Sequence, residues 1–96
     1  MSQPAPNDAV RIRFSPGFDA EVEEHGYAVY YFPDRDEVAV GTEPGGEYQL
    51  RVTRRDGDLE VRPVERGQRG DVLLRADEIG DVERFITTRV KAARYR

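Results

Sequence analysis

The stretch Asp77–Arg96 constrains this chain more than any other. Within it Ile79, Val82, Phe85, Ile86, Val90 and Ala93 recur at three- and four-residue steps, which places them along one side of an α-helix. Glu83, Arg84, Thr87, Thr88 and Lys91 fall on the other side. Acidic residues (Asp77, Glu78, Asp81, Glu83) gather at the start and basic ones (Arg89, Lys91, Arg94, Arg96) at the end, so both ends suit the helix dipole. Asp77 is the expected N-cap, with Asp81 a second candidate; Gly80 weakens the first turn, so Asp77–Gly80 can also stand as a separate turn. A helix over Asp77–Tyr95 would be about 28 Å long at roughly 1.5 Å per residue. Such a helix is marginal by itself. Its apolar stripe needs a surface to cover, and the rest of the chain supplies one.

Most of what precedes the helix reads as strands. Val10, Ile12 and Phe14 alternate with Arg11 and Arg13, which predicts a half-buried strand over Val10–Phe14. Ser15-Pro16-Gly17 ends it and opens a short helix, with Ser15 capping and Gly26 as the C-terminal glycine. Tyr27–Phe32 is apolar on both faces, as expected of a central strand. Pro33–Asp36 is a turn, and Glu37–Gly41 returns with Val38 and Val40 inward. Glu43-Pro44-Gly45-Gly46 is the next turn. Tyr48, Leu50 and Val52 alternate with Gln49, Arg51 and Thr53. Asp56-Gly57 is a strong two-residue hairpin signal. Leu59 and Val61 follow, and Pro63 calls for an edge position or a bulge. Glu65–Gly70 is a polar turn, and Asp71–Ala76 is the last strand. The expected fold is α+β, an antiparallel β-meander of about five to six strands with a short N-terminal helix and a long C-terminal helix packed on one sheet face. Residues 1–9, with Pro4 and Pro6, read as a disordered arm, and residues 10–96 as one domain.

Composition narrows the function classes. The chain has 96 residues, no cysteine and one histidine, His25. Disulfides, thiolate nucleophiles and Cys- or multi-His metal sites are therefore out of reach. His25 sits at a presumed helix end with no nucleophile or carboxylate constellation beside it, so no catalytic residue is assigned. Asp34, Asp36 and Glu37 share one turn, but the pattern lacks the rest of a calcium loop. Gly41–Gly46 lacks the lysine of a phosphate loop. No metal site and no cofactor is expected. No apolar run approaches a membrane span and no signal peptide is visible, so no membrane association and a cytoplasmic location are expected.

Charge is distributed unevenly. Residues 1–48 carry 10 acidic and 3 basic side chains, and residues 49–96 carry 9 acidic and 12 basic. A split of this kind suggests a polar side that faces a partner. Glu21, Glu23, Glu24, Asp34, Asp36 and Glu37 are the candidate residues for steering onto a basic cleft, with Tyr30 or Tyr31 as an aromatic anchor. An alternative basic stripe comprises Arg51, Arg54, Arg55, Arg62, Arg66 and Arg69, which a nucleic-acid-associated domain would use. Asp56, Asp58, Glu60 and Glu65 are interleaved with it, so cross-strand ion pairing is the preferred explanation. Nucleic acid is not the expected partner.

A local pattern adds to this. Glu24-His25-Gly26-Tyr27 ends a helix and opens a strand. Asp56-Gly57-Asp58-Leu59-Glu60-Val61-Arg62-Pro63-Val64-Glu65-Arg66-Gly67 runs from a hairpin through a strand to a turn. Asp81-Val82-Glu83-Arg84-Phe85 then starts the tail helix. In this order the chain, over Phe18–Arg96, resembles the actinobacterial immunity-protein family 61, similar in plan to the antitoxin of the tuberculosis necrotizing toxin. The resemblance implies a cytoplasmic, non-enzymatic protein that neutralises a secreted toxin by binding and occluding it. It implies a protein partner and transfers no binding residue. A monomer or weak dimer is expected.

Overall fold

The computed structural model describes residues 11–42 and 48–93, apart from the side chain of Ala93. In chain order they form α1 (Phe18–Glu24), β1 (Ala28–Tyr31), β2 (Glu37–Gly41), β3 (Tyr48–Arg55), β4 (Asp58–Glu65), β5 (Gln68–Arg69), β6 (Leu74–Ala76) and α2 (Ile79–Ala93). The strands make one antiparallel sheet in the order β1-β2-β3-β4-β5, with β6 also paired to β4. The fold is α+β, as expected. The expected arm at 1–9, Val10, the turn at Glu43–Gly46 and the last three residues lie outside the described residues.

The register sorts side chains onto two faces. One carries Tyr31, Val38, Val52, Val61 and Leu74 in one row and Val29, Val40, Leu50 and Pro63 in the next. Phe18 and Val22 of α1 and Val82, Ile86 and Val90 of α2 pack into the same core cluster. Ile86 and Val82 are fully buried, so the apolar stripe of α2 does cover the sheet. The helix starts at Ile79, two residues past Asp77, and includes Gly80; Asp77 is therefore not its N-cap.

The N-terminal strand expected at Val10–Phe14 is not a strand over its described part. Its alternation is nonetheless real, because Ile12 and Phe14 are buried. The backbone finds side-chain partners in place of a ladder. Ile12 N–H donates to Asp36 Oδ1 at 2.6 Å, Phe14 N–H to Tyr31 Oη at 3.3 Å, and Ser15 N–H to Glu83. Ser15 does not cap α1 either; its hydroxyl donates to Glu83 at 3.0 Å, and Gly17 at φ 92° is the N-cap residue. The C-terminus of α1 follows expectation. Gly26 has φ 84°, its N–H reaches Glu23 O, and Tyr27 N–H reaches Val22 O, which is a Schellman closure.

β1 is an edge strand, not the central strand that its two apolar faces suggested. Its faces are covered differently. Val29 and Tyr31 pack on the helix-side core, while Tyr30 is 43% exposed and contacts Phe32 edge-on at 4.9 Å. At the opposite edge, β5 falls inside the polar turn expected at Glu65–Gly70, and the strand expected at Asp71–Ala76 forms only over Leu74–Ala76, as β6, with a break between the two. Pro63 explains the break. Hairpin alternation turns its backbone away from β3 and toward this edge, where it has no N–H to give. Pro63 O still accepts Gly70 N–H at 2.8 Å, and Val61 O accepts Leu73 N–H at 2.7 Å. A Cβ at Gly70 would stand 2.8 Å from Pro63 Cγ.

Candidate functional site

Among the described residues no helix or strand covers the second face of the sheet. Its rows are Glu37–Thr53–Glu60–Arg75, Tyr30–Ala39–Arg51–Arg62 and Ala28–Gly41–Gln49–Val64–Arg69. Strand alternation alone puts these types together. Register then brings opposite charges within reach across strands.

Two buried carboxylates organise this face. Glu37 is 6% exposed and Glu60 only 2%. Glu37 Oε2 accepts from Arg51 at 2.6 Å and from Arg69 at 3.0 Å, and Arg35 Nε lies 3.5 Å from Oε1. Glu60 accepts from Arg62 at 2.9 Å and also from Arg75. Two strands separate β5 from β2, roughly 14 Å at about 4.8 Å per strand step. Arg69 reaches Glu37 nevertheless, so the sheet curls toward this face. An aromatic wall closes the end near β1. Phe32 has Arg35 at 4.4 Å and Arg51 at 4.7 Å from its ring centre, both within cation–π range. Gln49 Oε1 accepts from Arg51 Nε at 2.8 Å and fixes the guanidinium from its other side.

The acidic candidates do not form one surface. Glu21, Glu23 and Glu24 are exposed on α1, with Glu21 4.0 Å from Lys91. Tyr31 and Asp36 lie on the helix side, where Asp36 accepts from Ile12 N–H and from Arg54 at 2.9 Å. Tyr30 and Glu37 point to the open face, and Asp34 is exposed in the turn. Tyr31 is held by Phe14 and by Asp19, to which its hydroxyl donates at 3.4 Å. Burial raises its pKa above the ordinary tyrosine value, and Asp19 adds to the rise against the opposing Phe14 N–H and Arg13.

The basic candidates also divide. Arg51, Arg62 and Arg69 share the open face and its carboxylates. Arg54 pairs with Asp36. Arg55 is exposed at the end of β3, and Arg66 is exposed in the β4–β5 turn. The ion pairing expected of this stripe is present, but its acids are Glu37, Glu60 and Asp36. Arg75, Arg35, Phe32 and Gln49 belong to the site and were not candidates. The i, i+2 spacing of Gln49 with Arg51 and of Glu60 with Arg62 was the one local signal for part of it.

The arrangement presents guanidinium groups that can hold charged partners. Among the described residues no group of three or more His, Asp or Glu side chains is placed to bind a metal. No described helix is long and apolar enough to cross a membrane. A family model described as immunity protein 61 matches residues 21–96. No curated protein and no solved structure matches the chain.

Proposed function

The chain belongs to the immunity protein 61 family, and from that premise we propose that it neutralises a secreted toxin in the cytoplasm by binding it and covering its working surface, with the helix-free sheet face as the contact. The observation that carries the choice of face is the division of the sheet. Both helices pack on one side, and the other side is a curled surface of side chains already held by ion pairs. Preformed contacts of this kind lower the ordering cost of association. Tyr30, exposed at the margin of the face beside Phe32, supplies an aromatic anchor of the type that dominates interfaces. Neutralisation is stoichiometric and involves no turnover.

The acids on α1 define a rival surface for the same function, because Glu21, Glu23 and Glu24 are exposed on one short helix. The test is reconstitution. The full chain captures its toxin domain from lysate of its own organism, and the isolated toxin domain is assayed with an equimolar amount of the chain. Toxin activity should be lost. Arg69→Glu with Arg75→Glu should restore toxin activity, and Glu23→Lys with Glu24→Lys should not. The reverse pattern would move the contact to α1. A toxin domain that stays fully active when saturated with the chain would rule out neutralisation by occlusion.

A further inference from the structure

We infer that the helix-free face recognises carboxylates and that its partner presents an acidic protein surface. This deepens the proposed function and rests on its choice of face. The face is layered by charge. Glu60 and Glu37 lie at its floor, 2% and 6% exposed. The side chains above them are guanidinium groups, with Arg75 59%, Arg35 52% and Arg69 43% exposed. Solvent therefore meets the cations, and the anions beneath serve to hold them.

Cations are also in surplus. Glu37 is shared by Arg35, Arg51 and Arg69, and Glu60 by Arg62 and Arg75, while exposed Asp34 stands 4.0 Å from Arg35; among the described residues five guanidinium groups thus meet three carboxylates. Each guanidinium has five N–H donors, and one carboxylate contact occupies at most a fork of two. Donors thus remain on every exposed arginine. Between the two clusters Arg51 and Arg62 stand directly opposite each other in register, a like-charge pair offset by the contacts of Arg51 with Glu37 and of Arg62 with Glu60. Planar forks fixed from below suit carboxylates well.

A nucleic acid fits less well. Phosphate tracking draws its affinity from many basic contacts along a strand. Here the basic face is short, and its arginines are already shared between two carboxylates.

The experiment is an NMR titration of the isotope-labelled full chain at low salt with a short poly-L-glutamate. Poly-L-lysine and a single-stranded oligodeoxynucleotide of matched length serve as comparisons. Saturable shifts should appear at Arg51, Arg62, Arg69 and Arg75 with polyglutamate. Arg69→Glu with Arg75→Glu should weaken that binding roughly tenfold or more, and Glu23→Lys with Glu24→Lys should not weaken it. The unmodified protein keeps the mapping decisive even where the arginine variant folds poorly. Absence of saturable shifts on this face, preference for poly-L-lysine there, or tighter binding of the oligonucleotide at the same arginines would overturn the inference. The toxin assay is scored separately. A chain that needs Arg69 and Arg75 to neutralise its toxin, yet ignores polyglutamate, would sink the acidic partner and leave the proposed face standing.

Discussion

Tyr31 ties three segments together through one hydroxyl group. It accepts from Phe14 N–H and donates to Asp19, and its ring lies 6.2 Å from that of Phe14 with the Arg13 guanidinium at 4.7 Å. Because burial and Asp19 raise its pKa, the folded chain holds this proton at a pH where an unfolded tyrosine, with a pKa of about 10, releases it. The resulting stabilisation is fully present below that pH and is lost as pH rises through the raised folded value. In a phenolate absorbance titration Tyr31→Phe should remove signal from the high-pH end of the curve, and the urea midpoint of the unmodified chain should fall as pH rises above about 10. A high-pH end left unchanged by Tyr31→Phe would contradict this environment. Ile86, fully buried under α2, gives a simpler expectation. Ile86→Ala should cost about 2–5 kcal/mol in urea denaturation, from lost burial and the cavity left behind. Arg66 has φ 53° beside Gly67 at φ 83°, a turn that favours Asn-Gly. Arg66→Asn should therefore stabilise the chain by about 0.5–1 kcal/mol in urea denaturation.

At the scale of elements, the sheet's two edges and its two faces behave differently. Pro63 removes a donor from the β4 edge, and Gly70 lets the next chain segment pass against the proline ring. Gly70→Ala should force the segment outward at a cost of about 1–3 kcal/mol. Hydrogen exchange should then accelerate at Leu73, whose N–H bonds to Val61 O, and leave the β2–β3 ladder unchanged. The α1 C-terminus and the Asp56-Gly57 hairpin were both readable, because each needs a left-handed residue at a fixed place and glycine stands there. The N-terminal segment was readable only in its alternation. Its hydrogen bonds go to Asp36, Tyr31 and Glu83, and no local pattern announces partners so far along the chain.

At the scale of the molecule, part of the charge split of the sequence is folded into pairs among the described residues. Glu37 from the acidic half meets Arg51 and Arg69 from the basic half, Asp36 meets Arg54, and Glu21 approaches Lys91. The asymmetry therefore stabilises the join between halves as well as shaping the surface. Its exposed remainder differs by side, with carboxylates on α1 and guanidinium groups over the open sheet face. Raising salt from about 50 to 500 mM shortens the screening length severalfold. Toxin association should slow markedly, with a smaller change in dissociation. The urea midpoint should move much less, because Glu37 and Glu60 are buried. An association rate indifferent to salt would argue against a charged contact on either surface.

Period and punctuation in the sequence determined the α2 stripe, the hairpin at Asp56-Gly57, the inward residues of β2–β4 and the α+β class. These follow from chirality and from the geometry of single helices and strands, which act over a few neighbouring residues. The tertiary structure alone decided that β1 is an edge, that Tyr31 and not Tyr30 turns to the side of the sheet on which the helices pack, and that Glu37 and Glu60 are buried beneath arginines. Glu37 and Arg69 are 32 positions apart. Such a pair depends on strand order, register and sheet curl together, and no property of either segment alone specifies it.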